Sequence, residues 1–302
     1  MSVSLDRLLQ LRQQAGLRRS NASDRAGTGD TTPSTAGVTI DGLRRLLGTR
    51  GRLQAAVPTQ APSRLPDRAL MGEQIFPGLY CVDRLLAWPK PCDAIVVDAK
   101  TYGPIQPCDA LCFDTETTGL AGGAGTRAFM VGISEWTSEG LRVRQLLTAT
   151  LAAEAAMLST LAEWIEPRHV LVSYNGRCYD SPLLATRYRL ARMTNPLANL
   201  PHADLLFAVR RRYRGVWENC RLGTVERRLL NVVREDDLPG SEAPAAWLGY
   251  LRGGNAVNLR RVLAHNHQDV VSLMMLLGEL ASAVPHEFMV NASATASVGR
   301  IV

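Results

Sequence analysis

Short apolar runs and amphipathic stretches alternate from about residue 109 onwards, which predicts a domain of mixed strands and helices. Four runs predict strands, of which the first ends at Asp114 and the others cover 128–134, 141–147 and 170–174. Apolar residues at helical spacing predict helices at 152–165, 180–193, 203–214, 222–230 and 256–283. Three strands, a helix, a strand and then further helices are typical of an α/β layer fold.

The residues before and after this domain predict three further segments. Residues 1–70 hold a short amphipathic helix and a polar low-complexity linker, and we expect this extension to be disordered or loosely structured. Residues 71–108 are predicted to form a strand-rich lead-in, residues 109–285 the main domain, and residues 286–302 a tail. The N-terminal segment is also a candidate docking arm for a protein partner.

Composition excludes several classes of protein. The chain has 302 residues, of which 46% are hydrophobic, as in globular proteins. No apolar run approaches the roughly 18 residues of a membrane span, and the N-terminus has no secretion-signal pattern. The six cysteines form no Cys-x-x-Cys pair and have no zinc-like histidine spacing. We therefore expect reduced thiols in a cytoplasmic protein that does not contact membranes.

Positive charge is concentrated in one part of the chain. The net charge is +6, and residues 186–235 contain 11 arginines against four acids. The densest part holds Arg210, Arg211, Arg212 and Arg214, with Trp217 nearby. Arginine contacts phosphates and aromatic rings stack on unpaired bases, so this stretch is a candidate nucleic-acid surface. The alternative for this stretch is a solvated helix face. A GC-rich genome would also enrich arginine with no function attached.

The segment Phe113-Asp114-Thr115-Glu116-Thr117 carries the first candidate chemistry. It follows an apolar run and precedes a glycine-rich stretch, so it is predicted at the end of a buried strand. Side chains alternate along a strand, which places the two carboxylates on one side. Hard divalent cations prefer such oxygen ligands. The pair is therefore half of a candidate metal site, or else a pair of solvated surface charges.

Two later segments supply further acids. Asp180 follows the turn signal Asn175-Gly176 at a predicted helix start, where it is either a functional acid or a helix cap. On the last helix, His265 stands four residues before Asp269 and shares its face, which also fits a surface salt bridge.

The order and spacing of these segments resemble the DEDD exonucleases of the ribonuclease H-like fold, and within them the YprB-like proteins. The resemblance covers roughly residues 70–280. Three further segments add to it, namely 72–79, 203–206 and 220–226. It implies a mixed central sheet flanked by helices.

The resemblance also implies an activity: a 3′→5′ exonuclease that hydrolyses single-stranded DNA or RNA with two Mg²⁺ or Mn²⁺ ions. The implied metal ligands are Asp114, Glu116, Asp180 and Asp269. Asn175 and Tyr179, beside Asp180, are predicted to contact the nucleic acid along with the four arginines.

The position of the general base departs from the family pattern. One branch of the family carries tyrosine four residues before the last acid, and the other branch carries histidine five residues before it. In this chain the position five residues before Asp269 is Ala264, and the position four residues before it is His265. His265 is the candidate base. The alternative function is a catalytically weak or inactive nucleic-acid-binding module of a repair or RNA-processing assembly.

Overall fold

A seven-stranded mixed sheet forms the centre of the domain that the structure describes. The computed structural model describes residues 65–88, 94–97, 103–119, 123–235 and 237–282. The strands lie in the order β1-β2-β5-β4-β3-β6-β7; the first five pair antiparallel, and β6 and β7 continue the sheet in parallel. Their bounds are β1 Glu73–Phe76, β2 Leu79–Leu86, β3 Ala110–Thr117, β4 Ala128–Trp136, β5 Leu141–Thr148, β6 Val170–Ser173 and β7 His202–Asp204.

Within the described ranges, six α-helices cover the two faces of this sheet. Their bounds are α1 Glu154–Trp164, α2 Asp180–Leu190, α3 Leu205–Tyr213, α4 Leu222–Val225, α5 Ala243–Leu251 and α6 Val257–Ser282. Immediately after α4 the chain widens into a π-helical turn at Glu226–Leu230, which ends at Asn231 in the left-handed conformation with φ 54°. The predicted α/β architecture, a mixed central sheet flanked by helices, is confirmed.

The two faces of β3 explain why its side chains have different roles. Leu111 and Phe113 pack in a buried cluster with residues of α1 and α2, whereas Ala110 and Cys112 pack in a cluster with residues of α6. Because side chains alternate, Asp114 continues the α6 face of the strand. The sheet therefore aims this carboxylate at the long helix.

Helix α6 is fixed firmly against the sheet. Its residues Val270, Met274 and Leu277 are almost fully buried, and burying each contributes about 1.5–3 kcal/mol relative to exposure. The hydroxyl of Ser134 on β4 also donates to the Val270 carbonyl at 2.7 Å. The functional side chains of α6 are thus held at a defined height over the strands.

Some predicted element bounds need correction. The first strand of the main domain continues to Thr117 rather than ending at Asp114, because it stays paired with β4. Residues 203–204 belong to a short strand, and α3 begins only at Leu205. Helix α5 was not predicted. The strand-rich segment 71–108 contributes β1 and β2, and β2 pairs with β5 at one side of the main sheet.

The predicted N-terminal helix and linker lie outside the described residues, as does the predicted tail 286–302. Among the helices that the structure does describe, none is long and apolar enough to cross a membrane. The five cysteines in the described ranges are free thiols.

Candidate metal and catalytic site

Strand β3 presents Asp114 and Glu116 toward α6. Glu116 is 7% exposed, and Asp114 lies opposite Gly132 of the neighbouring strand β4. The side-chain amide of Asn266 on α6 donates to Asp114 Oδ2 at 2.9 Å. This bond joins the strand to the helix at the site.

Asn266 can take this position only because β4 carries a glycine there. A Cβ added at Gly132 would lie 3.0 Å from Asn266 Cγ and closer still to its oxygen, which is too near for real atoms. Gln145 on β5 completes the arrangement by donating to Asn266 Oδ1 at 2.9 Å and to the Leu263 carbonyl at 2.9 Å. Asp114 is therefore oriented by a fully buried chain of amides.

Asp180 is the first residue of α2 rather than its cap, since the residue before the helix is Tyr179. The hydroxyl of Thr115, between the two carboxylates of β3, donates to Asp180 Oδ1. Asp204 is the cap of a different helix, α3, where it accepts a hydrogen bond from the Leu206 backbone N–H at 3.2 Å. It also accepts one from the Asn175 backbone N–H at 2.7 Å. Asp204 thereby fixes the turn that leads to Asp180.

His265 and Asp269 face the same cluster from α6, one helical turn apart. His265 Nε2 lies 3.4 Å from Asp269 Oδ2. Glu116, His265 and Asp269 each offer a ligand atom within 4.8 Å of the others, a spacing that suits a single metal ion. Asp114 and Asp180 lie outside this 4.8 Å group and approach the cluster from β3 and α2.

The carboxyl groups perturb one another strongly. Burial, followed by the charges of Asp269, Asp180 and Glu116, raises the pKa of Asp114 well above its ordinary value. Burial raises the pKa of Glu116 to about 7 and that of Asp180 to about 6. Burial also raises the pKa of Asp269, against the opposing effect of Arg234.

Raised pKa values of this kind indicate that burial disfavours the charged carboxylates, and that neighbouring acids add to this effect. Four oxygen-donor carboxylates from three elements fit hard divalent cations, which would remove the repulsion. The residues present thus fit the predicted metal.

A cation that the sequence pattern did not predict borders this cluster. Arg234, in the loop after the π-helical turn, forms an ion pair with Asp269 and pairs with Glu226 through Nε and Nη2, at 2.7 and 2.6 Å. Asp237 lies 2.6 Å from His265 Nδ1. Nothing local in the sequence marks Arg234 or Asp237, because both reach α6 from a separate loop.

Two adjoining cavities lie near the site, and the first of them reaches one of its acids. One of about 680 Å³ is lined by Asp180, Asn175 and Tyr179, whose side chain is 55% exposed. The second, of about 610 Å³, also contacts Asn175 and is lined by Arg210 and Arg214.

The remaining predicted arginines lie near the second cavity without lining it. Arg211 and Arg212 are exposed on α3. Trp217 stacks on Tyr213 with ring centroids 3.9 Å apart and also lines that cavity. The predicted nucleic-acid residues therefore divide into a set that lines cavities, namely Asn175, Tyr179, Arg210 and Arg214, and an outer pair.

Comparison with known proteins identifies the fold. The family model described as the RNase_H superfamily matches residues 111–281, more than half of the chain. The chain belongs to the RNase_H superfamily. The matched segment begins within β3 and ends within α6, so it contains all four acids. The ribonuclease H-like fold predicted from the sequence is confirmed.

A homologue supports the narrower resemblance. The uncharacterized protein YprB of Bacillus subtilis is 35% identical over 172 residues, which are 57% of this chain and 41% of YprB. The chain thus spans less than half the length of that curated relative, and the predicted YprB-like resemblance is confirmed.

Several solved structures align with part of this chain at low sequence identity. The family B DNA polymerase of Pyrobaculum calidifontis aligns with 15% identity and a TM-score of 0.46, over 67% of this chain and 28% of the polymerase. Brucella melitensis NrnC bound to pGG aligns with 18% identity and a TM-score of 0.42, over 66% and 82%. The E. coli exonuclease I complex with single-stranded DNA aligns with 15% identity and a TM-score of 0.38, over 59% of this chain and 41% of exonuclease I.

Proposed function

We propose that this chain is a two-metal-dependent 3′→5′ exonuclease that hydrolyses single-stranded DNA or RNA. The observation that supports the proposal most is the convergence of four carboxylates, one buried and three half-buried, from β3, α2 and α6 on one region beside a histidine. Such a concentration of negative charge destabilises a protein unless it binds cations. The direction of digestion and the single-stranded substrate come from the family resemblance.

Under this proposal Asp114, Glu116, Asp180 and Asp269 hold the two cations. Mg²⁺ or Mn²⁺ bound there supplies Lewis-acid stabilisation of the attacking and leaving oxygens of the phosphodiester. The protein's own contribution is to orient the acids: Asn266 holds Asp114, and Thr115 holds Asp180.

His265 is placed to accept a proton from the attacking water. In the tautomer that carries its hydrogen on Nδ1, that hydrogen donates to Asp237 at 2.6 Å, and the lone pair of Nε2 then faces Glu116 and Asp269. Burial lowers the pKa of His265, but the charge of Asp269 and the hydrogen bond with Asp237 outweigh it, so the pKa lies above its ordinary value. The base is therefore oriented by Asp237, which is not itself one of the three grouped ligands Glu116, His265 and Asp269.

The substrate strand would follow the two cavities. The exposed ring of Tyr179 offers a stacking surface for the terminal base next to Asp180. Arg210 and Arg214 line the neighbouring cavity, where they suit the phosphates of preceding nucleotides. Asn175 lines both cavities, so a single strand could pass from one cavity to the other.

A gel assay tests the proposal. Single-stranded DNA and RNA carrying a 5′ label are incubated with Mg²⁺, Mn²⁺ or EDTA, beside the variant Asp114→Asn and the matched control Asp83→Asn, an exposed acid on β2. We expect a metal-dependent ladder of shortened products that Asp114→Asn lacks and Asp83→Asn retains. Release of the 5′ label as a mononucleotide at the start of the reaction would instead indicate digestion in the 5′→3′ direction.

One observation favours the alternative of a nucleic-acid-binding module. Arg234 Nη1, which can only donate, lies 3.1 Å from His265 Nδ1, and a hydrogen bond between them requires the ring hydrogen to be on Nε2. If this prevents proton transfer, the gel would show intact substrate with a retarded band that EDTA does not affect.

A further inference from the structure

Glu226 and Arg234 form a buried ion pair at the border of the acid cluster. Glu226 is 1% exposed and accepts two hydrogen bonds from the Arg234 guanidinium, at 2.7 and 2.6 Å. The hydroxyl of Ser272 on α6 donates a third, at 2.5 Å. Fully satisfied hydrogen bonding is what makes a buried charged pair tolerable.

The same guanidinium contacts two groups of the proposed catalytic site. Its Nη2 donates to Asp269 Oδ1, and its Nη1 lies 3.1 Å from His265 Nδ1. The other oxygen of Asp269, Oδ2, faces His265 Nε2 at 3.4 Å. Arg234 therefore engages one oxygen of Asp269 and leaves the second directed into the cluster.

We propose that Glu226 and Arg234 are a charge-balanced positioning pair that presents Asp269 to a metal ion through one oxygen only. The inference rests on the proposed function, since it needs divalent ions at the acid cluster. Arg234 supplies the geometry, because a planar guanidinium binds Glu226 and Asp269 at once in fixed directions. Glu226 supplies the charge balance.

The need for charge balance follows from where Arg234 lies. A guanidinium in contact with a metal ligand repels the metal, and an unbalanced unit charge about 6 Å from a divalent ion changes its affinity roughly tenfold at an effective dielectric constant of about 80 and roughly 10,000-fold at about 20. The buried carboxylate of Glu226 cancels this repulsion. The pair can thus hold Asp269 without excluding the cation that Asp269 binds.

The test measures Mn²⁺ affinity, by electron paramagnetic resonance of free Mn²⁺, in three variants. Glu226→Gln keeps the shape but removes the buried charge that balances Arg234, so we expect Mn²⁺ to bind at least about tenfold more weakly. Arg234→Gln removes the repelling charge, so affinity should not fall. The double variant removes both charges and should return to within about threefold of the wild type.

Cleavage rates separate positioning from charge. Without Arg234 the carboxylate of Asp269 is no longer held, so kcat should fall about 10- to 100-fold in Arg234→Gln and in the double variant, with KM little changed. Restored Mn²⁺ affinity with kcat still low in the double variant is the expected signature. A role confined to folding would instead weaken Mn²⁺ binding in both single variants together.

A matched pair of the same residue types provides the control. Glu166 and Arg168 are paired at 2.7 Å on the surface, and Arg168 also contacts the Cys108 carbonyl before the start of β3. Glu166→Gln and Arg168→Gln should leave Mn²⁺ affinity unchanged. If Glu226→Gln is too unstable to purify, Arg234→Lys replaces it in the test. Lysine keeps the positive charge but lacks the planar guanidinium that binds two carboxylates, so this variant should lower kcat at unchanged Mn²⁺ affinity.

The outcomes distinguish this inference from the proposed function. Wild-type protein that binds no Mn²⁺ overturns both, since no ion would then be present for the pair to act on. Wild-type protein that binds Mn²⁺ and cleaves, with Glu226→Gln binding Mn²⁺ equally well, overturns only the charge-balanced pair. A double variant whose kcat returned to the wild-type value would also contradict it.

Discussion

Removing one acid from the candidate site should stabilise the metal-free protein. Glu116 is 7% exposed, and burial raises its pKa from 4.5 to about 7. At about 1.4 kcal/mol per pH unit, this rise corresponds to about 3 kcal/mol of unfolding free energy. Glu116→Gln keeps the volume of the side chain and removes the charge, so it should recover most of that amount at alkaline pH.

The gain must depend on pH in a defined direction. A group whose pKa is raised by folding contributes stability below its unfolded pKa of 4.5, and that stability is lost as pH rises through its folded value of about 7. The advantage of Glu116→Gln should therefore be under about 1 kcal/mol at pH 5 and about 3 kcal/mol at pH 8. In a domain of this size the larger figure is about 6–12 °C in Tm.

Thermal unfolding in EDTA at the two pH values measures this difference. Glu163→Gln, an exposed acid on α1, is the control and should leave Tm unchanged at both. Saturating Mn²⁺ should then stabilise the wild type far more than Glu116→Gln, because the variant lacks a ligand. Equal Tm values for wild type and Glu116→Gln at pH 8 in EDTA would refute the reasoning.

Three further predictions address the supports of the site, the base and the substrate surface. Gly132→Ala should displace Asn266, destabilise the fold by about 1–3 kcal/mol and lower kcat, as unfolding and cleavage assays would show. An unaltered kcat would contradict this role for the glycine. Cleavage by the wild type should fall as pH drops through the raised pKa of His265, and His265→Ala should be slow but lack this dependence; the same pH profile in the variant would reject the base. Arg210→Ala should weaken binding of single-stranded DNA and reduce the slope of log affinity against log salt by about one, whereas the exposed Arg252→Ala should do neither.

Periodicity was enough to predict the sheet core and the long helix. The strands β4, β5 and β6 are each four or more residues long and rich in apolar side chains. Helix α6 repeats its apolar positions over many turns. Strand β7 has three residues, two of them polar, and is set by its pairing with β6 rather than by any pattern of its own. Helix α5 contains Pro244 and Gly249, which weaken a helical pattern.

The candidate site shows the same division between local and tertiary signals. Asp114 and Glu116 could be placed on one side of a strand because alternation is a local property. The end of that strand was misplaced because Thr115 and Thr117 are polar, and only pairing with β4 shows that the strand continues. Arg234 lies 35 residues before Asp269 and contacts it solely through the fold, so no spacing rule predicts the pair.

Anomalous diffraction from crystals soaked in Mn²⁺ tests the two-metal site most directly. We predict two peaks among the carboxylates of Asp114, Glu116, Asp180 and Asp269, both absent from crystals of Asp114→Asn treated in the same way. No peak among these carboxylates in wild-type crystals, under conditions in which the same protein cleaves single-stranded DNA, would contradict the assignment of the site.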